Sequence, residues 1–247
     1  MTGSPTAPAG ITAPAATTAP AATTAPAEIT APAGVSGITT IVFDIDGTLL
    51  DSAAGILAGF QRALVAGGVA VPTESELRVH LGPPLPDFLR TAGVTQERLA
   101  VAIQAYRDFY LAEGIWQARP YDGVTALLER LTAAGYQLAT ASAKRTTIAE
   151  AIVTAHGLAP YFAVIGGTDQ TRHTKADTLG YVLTELGAEP GETIMIGDRH
   201  HDIDGAHACG IRAIGARWGY GVADELVRAE ADWLADDVAQ LARLLGV

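Results

Sequence analysis

The chain has 247 residues, a formal net charge of −11 and one cysteine, Cys209. The acidic balance argues against nucleic-acid binding through a broad basic face, and a lone cysteine excludes an internal disulfide framework and any CxxC metal site. An anionic substrate would need a local positive site, which draws attention to the only two lysines, Lys144 and Lys175, set against fourteen arginines.

Residues 1–37 are expected to form a disordered tail. The stretch 5–34 is almost entirely Ala, Pro and Thr, with TAPAAT repeated, and has too little apolar surface to offset its ordering entropy. It lacks the basic start and apolar run of a secretory signal. No other stretch is long and apolar enough to span a bilayer, so a cytoplasmic location is expected. Either this stretch is a flexible tether or translation begins at Val35. Setting it aside leaves about 210 residues, enough for one domain or a core with an insertion.

Ile38–Ile45 is a β-branched run followed by Asp46-Gly47, the pattern of a buried strand ending in a turn. Further strands are expected at Tyr136–Ser142, Tyr161–Gly166, Thr193–Ile196 and Ile211–Ala216, with a weaker one at Ala231–Ala235. Helical patterns fall at Gly123–Ala134, Thr146–His156, Lys175–Leu186, Asp202–Cys209 and Asp237–Leu245. This alternation predicts an α/β fold with a parallel sheet covered on both faces. About 90 residues separate Asp46 from Tyr136, far more than a crossover needs. Leu77–Leu89, broken by Gly82-Pro83-Pro84, and Thr95–Glu113 read as helices within that interval. A helical insertion is therefore expected at 53–119, with the core at 38–52 and 120–247. It would sit above the carboxyl ends of the strands, where open α/β sheets bind ligands.

Asp44-Ile45-Asp46-Gly47-Thr48 is the strongest local signal. Residues two apart on a strand project to one side, so Asp44 and Asp46 would face one cleft, while Gly47 permits a sharp turn and close approach to a ligand. Such acid pairs are common by chance, but rare at the end of an apolar strand before Gly-Thr. Asp198 follows the Thr193–Ile196 strand, and Asp202 could cap the next helix. In a parallel sheet Asp44 and Asp198 would converge, and clustered carboxylates without cysteine suit Mg²⁺. Ser142 ends a strand and could hold phosphate oxygens at a helix N-terminus, or simply cap it. Lys175, at a helix start, could neutralise phosphate and nucleophile alike. His200-His201 is read as a solvated helix start. His80 is read as cleft-facing or helix-ending, and Arg90 and Arg107 as surface residues.

From Ile38 onward these residues resemble the haloacid dehalogenase superfamily. Asp44-Ile45-Asp46-Gly47-Thr48 is similar to its first motif, Ser142 to its second, Lys175 to its third, and Gly197-Asp198 with Asp202 to its fourth. Leu81-Gly82-Pro83-Pro84-Leu85, Gly197-Asp198-Arg199 and Trp218-Gly219-Tyr220-Gly221 are similar to a branch of phosphoglycolate phosphatase-like and 5′-nucleotidase-like enzymes. That branch reads Thr-Ser-Lys-Pro or Thr-Asn-Lys-Pro in the second motif. Here the run is Ser142-Ala143-Lys144-Arg145.

The resemblance implies a Rossmann-like doubly wound parallel sheet with an inserted helical cap. It implies a Mg²⁺-dependent phosphatase acting on a small phosphorylated metabolite, with no nucleic-acid or membrane partner. Asp44 would be the nucleophile forming an aspartyl-phosphate, Asp46 the acid and then the base, and Lys175 a stabiliser of the transferring group. Gly47, Thr48, Ser142 and Ala143 would contact substrate. Asp44, Asp46 through its carbonyl, and Asp198 would hold the metal, with Asp202 orienting its shell. A phosphomutase on the same core and a non-catalytic protein keeping the fold are the competing expectations. A Schiff-base phosphonate hydrolase is excluded, since no lysine precedes Lys144. Oligomeric state is not legible.

Overall fold

The computed structural model describes Met1, Gly3 and Val35–Val247. The expected tail at 1–37 therefore lies largely outside the described residues. Its last part does not: Val35 is buried and belongs to the core.

Strand β1 (Thr40–Phe43) is followed by a short strand β2 (Leu50–Asp51). Four helices come next: α1 (Ala53–Gly67), α2 (Glu74–Arg78), α3 (Leu85–Thr91) and α4 (Gln96–Ala112). Strand β3 (Arg119–Pro120) then pairs antiparallel with β2, Leu50 against Pro120 and Asp51 against Arg119. The helices thus leave and rejoin the chain through one two-stranded ribbon.

Beyond the ribbon, strands and helices alternate: α5 (Val124–Ala133), β4 (Gln137–Arg145), α6 (Thr146–Ala155), β5 (Val164–Thr168), α7 (Lys175–Leu186), β6 (Thr193–Gly197), α8 (His200–Ala208), β7 (Arg212–Ala216), α9 (Glu225–Arg228), β8 (Trp233–Ala235) and α10 (Val238–Leu244). Six of the strands form one sheet in the order β5-β4-β1-β6-β7-β8. All its pairings are parallel. This is an α/β, Rossmann-like fold.

The alternation of β1 side chains explains why both faces are covered. Ile41 and Phe43 enter one apolar cluster with Leu127, Leu128, Ile152 and Leu241. Val42 enters the other with Leu179, Val182, Ile203 and Ala206. Helix α7 is bounded by its own residues: Thr174 and Asp177 make a reciprocal capping box, and Gly187 closes the far end in the left-handed conformation.

Several boundaries differ from the sequence reading. Pro160 opens a 3-10 turn at Ala159–Tyr161, so β5 starts at Val164 rather than Tyr161. Strand β4 runs past Ser142 to Arg145, because Arg145 still pairs with Thr168 after a register shift. Ser142 is consequently inside a strand and not at a helix N-terminus. Helix α8 begins at His200, two residues before Asp202. Helix α1 had no distinct signal because Gly55, Gly59 and Gly67 weaken its propensity. At least one of these glycines is needed for packing: a Cβ at Gly59 would lie 2.7 Å from the Tyr106 ring on α4. Among the described residues no helix is long and apolar enough to cross a membrane.

Candidate active site

Strands β1 and β6 are neighbours in register, with Phe43 beside Ile196. The residues just beyond them, Asp44 and Asp198, therefore emerge side by side and are both buried. Asp202, in the first turn of α8, joins them, and carboxylate oxygens of the three lie within 4.8 Å of one another.

Lys175 enters from the start of α7. Its Nζ lies 2.7 Å from Asp44 Oδ1 and 2.7 Å from Asp202 Oδ1, and donates to the Ala141 carbonyl at 2.6 Å. The contact to Asp202 Oδ1 is a charge contact off the line of a hydrogen bond. Asp202 Oδ2 accepts the Arg199 backbone N–H at 3.0 Å, so its second oxygen caps its own helix.

Asp198 is fixed from two sides. Its Oδ2 accepts the Tyr220 backbone N–H at 2.7 Å, and its Oδ1 faces the Thr48 hydroxyl at 3.4 Å. Gly47 has φ of 85°, and a Cβ there or at Gly219 would overlap the Asp198 side chain. Both glycines are thus required by close approach to one carboxylate.

Asp46 has a separate set of partners. Lys144 Nζ lies 2.7 Å from its Oδ2. The Ser52 hydroxyl donates to its Oδ1. The Tyr220 hydroxyl oxygen accepts the Ser52 backbone N–H at 2.7 Å and donates to Asp51 Oδ1 at 3.1 Å. Lys144 also lies 4.5 Å from the centroid of the Tyr110 ring. Ser142 is buried, and its hydroxyl accepts the Lys144 backbone N–H at 3.2 Å. Ala143 lines the adjoining cavity.

The electrostatics follow from burial. Burial pushes the Asp44 carboxyl up to about 7, with Lys175 opposing and the Asp202 and Asp46 charges adding to the rise. Burial, then the Asp202 and Asp44 charges, drive Asp198 well above the carboxylate range. Burial also disfavours charge on Asp202, but Lys175 and His201 outweigh it and hold that group below its usual value. For Lys175 the burial cost is outweighed by Asp202 and Asp44, and the ammonium is held above its ordinary value.

With all four carboxylates ionised, two ammonium groups would leave a deficit of about two positive charges, which is why burial and mutual repulsion favour the protonated forms of Asp44 and Asp198. An oxygen-only donor set with that deficit fits a hard divalent cation.

The sequence reading missed three residues of this constellation. Lys144 was noticed for its rarity but given no role, and Ser52 carried no signal. Tyr220 belonged to a quoted motif without an assigned contact. One expectation is corrected. Arg107, read as a surface residue, is half-buried and lines the cavity beside Asp46. Arg90 also lines that cavity but is exposed, as read. Of the two readings of His80 the helix-ending one holds: its backbone N–H donates to the Leu77 carbonyl just past α2, and its ring is tilted against Phe88 with centroids 5.0 Å apart. His200 starts α8 as expected and meets Glu225 Oε1 at 2.7 Å through its ring Nδ1.

Residues 41–216 match the sequence profile of the family described as haloacid dehalogenase-like hydrolase. A relative from Mycobacterium tuberculosis named tyrosine-protein kinase PtkA is 40% identical over 212 residues, covering 84% of this chain and 72% of the relative. A Pseudomonas aeruginosa relative named 5′-nucleotidase is 34% identical over 208 residues, covering 83% of this chain and 94% of the relative. The solved structure of a predicted phosphatase from Clostridium acetobutylicum superimposes with a TM-score of 0.79 at 34% identity, covering 85% of this chain and 99% of that one.

Proposed function

We propose that this chain, which belongs to the haloacid dehalogenase-like hydrolase family and hydrolyses phosphate monoesters, works through an aspartyl-phosphate on Asp44 with Mg²⁺ bound beside it. The observation that carries this reading is the division of labour between two acids one residue apart. Asp44 is paired with Lys175 and Asp46 with Lys144.

In the proposed reaction an Asp44 carboxylate oxygen attacks phosphorus and the ester P–O bond breaks. Asp46, protonated when the substrate is bound, gives its proton to the departing alkoxide. It then takes a proton from water, whose oxygen attacks the acyl phosphate. Inorganic phosphate leaves and the Asp44 carboxylate is restored. Lys175 balances charge on Asp44 and on the transferring group, and the Ser142 hydroxyl with the backbone at Gly47, Thr48 and Ala143 orients the phosphate. Lys144 and Ser52 hold the Asp46 carboxylate from its two oxygens. Asp44, Asp198 and the Asp46 carbonyl would hold Mg²⁺, supported by Asp202. When bound, the cation would offset the carboxylate and phosphate charge. The inserted helices at 53–119 act as the cap that excludes water and reads the leaving group.

The test is phosphate release from a panel of monoesters. Asp44→Asn should lower release by about 10⁴-fold or more while the thermal melt stays cooperative. Chelation should abolish the activity of the parent and Mg²⁺ should restore it. A fully active Asp44→Asn protein would remove the nucleophile assignment.

A second reading is favoured by the relative named tyrosine-protein kinase at 40% identity. The phosphoryl group on Asp44 would then pass to a tyrosine hydroxyl instead of water. Incubation with ATP and a tyrosine peptide separates the two, since only the second reading yields phosphotyrosine.

A further inference from the structure

A cavity of about 400 Å³ opens from Asp46 and Lys144 and runs between the inserted helices and the end of β4. Phe60, Leu85, Ile103 and Tyr106 give it apolar and aromatic walls. Its volume falls within the range of pockets for small organic ligands.

Most charges around it are already matched. Lys144 is paired with Asp46 at 2.7 Å, Arg90 with Asp87 at 2.8 Å, and Asp169 with Arg172 at 2.7 Å. Two lining guanidiniums are left over. Arg107 comes from α4 and Arg145 from the end of β4. Among the described residues neither has a carboxylate within ion-pair distance. The Arg107 Nε is buried and has no hydrogen-bond partner. Burial and the repulsion of Arg145 both push the Arg107 guanidinium below its usual value. Arg145 is exposed, whereas the Arg107 Nε near it is buried and unpartnered, an arrangement that an anion would relieve in a chain of net charge −11. The planar guanidinium fork matches carboxylate and phosphate oxygens.

We propose that Arg107 and Arg145 form a second anion site. The substrate is then a phosphate monoester whose leaving group has a compact, largely apolar or aromatic body ending in a second anionic group, a carboxylate or a phosphate. The reactive phosphate lies at Asp44 and the distal anion pairs with the two arginines. This inference rests on the phosphatase reading above.

Binding of inert phosphonates to the full-length, Mg²⁺-supplemented protein tests it without turnover. Calorimetry would compare benzylphosphonate, 4-carboxybenzylphosphonate and 1,4-xylylene bisphosphonate. At least one of the two doubly anionic ligands should bind about ten- to a hundredfold tighter than benzylphosphonate, and which one gains identifies the distal group. Arg107→Gln and Arg145→Gln should each bring that ratio towards one. Arg145→Glu should take it below one, and the lysine replacements at both positions should keep part of it. A ratio near one in the parent, or one that survives in both glutamine variants, overturns the proposal. If a variant melts early, the parent ratio and the lysine replacements still decide. The corresponding phosphate esters separate the two readings. A binding preference without phosphate release would defeat the phosphatase mechanism and leave the anion site standing. Release of phosphate without a preference would do the reverse.

Discussion

Lys144 Nζ stands 2.7 Å from Asp46 Oδ2, on the side of the carboxylate opposite the Ser52 hydroxyl contact. Burial works against charge on Lys144, yet Asp46 and Tyr106 outweigh it and keep the ammonium raised above its ordinary value. The lysine therefore stays charged and fixes where Asp46 points. Lys144→Met should lower kcat by about 10²-fold, the scale of a misplaced general acid, with a smaller change in KM. Lys144→Arg should recover part of the loss. Steady-state kinetics on one good monoester checks this, and an unchanged kcat in the methionine variant would refute the positioning role.

The aspartate cluster sets a pH dependence in the metal-free protein. Folded Asp44 holds its proton up to about pH 7, whereas an unfolded aspartate releases it near pH 4. Between those values the folded state binds more protons, so the stability contributed by this group falls as pH rises through the window. Asp44→Asn removes the effect. Without metal it should melt above the parent at pH 8, with the gap closing near pH 4. Mg²⁺ at a hundred times its Kd should stabilise the parent by about 2.7 kcal/mol. That corresponds to roughly 2–4 °C per kcal/mol for a domain of this size. Asp198→Asn should show little of that gain.

Gly219→Ala tests how tightly Asp198 is held. The new Cβ would overlap both the Gly47 carbonyl oxygen and the Asp198 side chain. A backbone oxygen cannot rotate away as a flexible side chain can, so the variant should lose about 1–3 kcal/mol of stability. The Mg²⁺ midpoint for thermal stabilisation should rise in parallel. Urea midpoints and a metal titration read the two effects, and an unmoved metal midpoint would contradict the placement of Asp198 at the cation.

Glu225 supplies stability with the opposite pH sign. Burial disfavours its charge, but the His200 backbone N–H, the His200 ring and Arg199 outweigh that and pull its carboxyl from 4.5 to about 2. Arg199 Nε lies 2.9 Å from Glu225 Oε1. Its contribution is complete above about pH 4.5 and disappears as pH falls towards about 2. Glu225→Gln should cost about 2 kcal/mol at pH 7, and the difference from the parent should shrink on acidification. Urea titrations across pH 3–7 would show it; a gap independent of pH would refute the charge-based account.

The parts of the site visible in the sequence are those coded by contiguous residues at strand ends. Asp44-Ile45-Asp46-Gly47 announces itself because an apolar run stops there. The closeness of Asp44 and Asp198 follows once β1 and β6 are neighbours. Lys175 stood out only because lysine is scarce. The remaining contacts were not legible because their partners are far apart or locally unremarkable. Tyr220 meets Ser52 across 168 residues, and Thr48 meets Asp198 across 150. Arg107 lies on a helix whose composition looks solvated, and its buried Nε arises only where that helix borders the cavity beside β4. Helix α1 was obscured because its glycines, Gly55, Gly59 and Gly67, serve close approach to Gly114, Tyr106 and Val94 at the expense of helix propensity.

The β2–β3 ribbon ties the inserted helices to the sheet by two adjacent legs, Leu50–Asp51 and Arg119–Pro120. Ser52 is the first residue past one leg, and it touches both Asp46 and the Tyr220 hydroxyl. The foot of the inserted helices and the carboxylate of Asp46 are therefore joined through a single residue, so Asp46 takes its place from the ribbon as well as from β1.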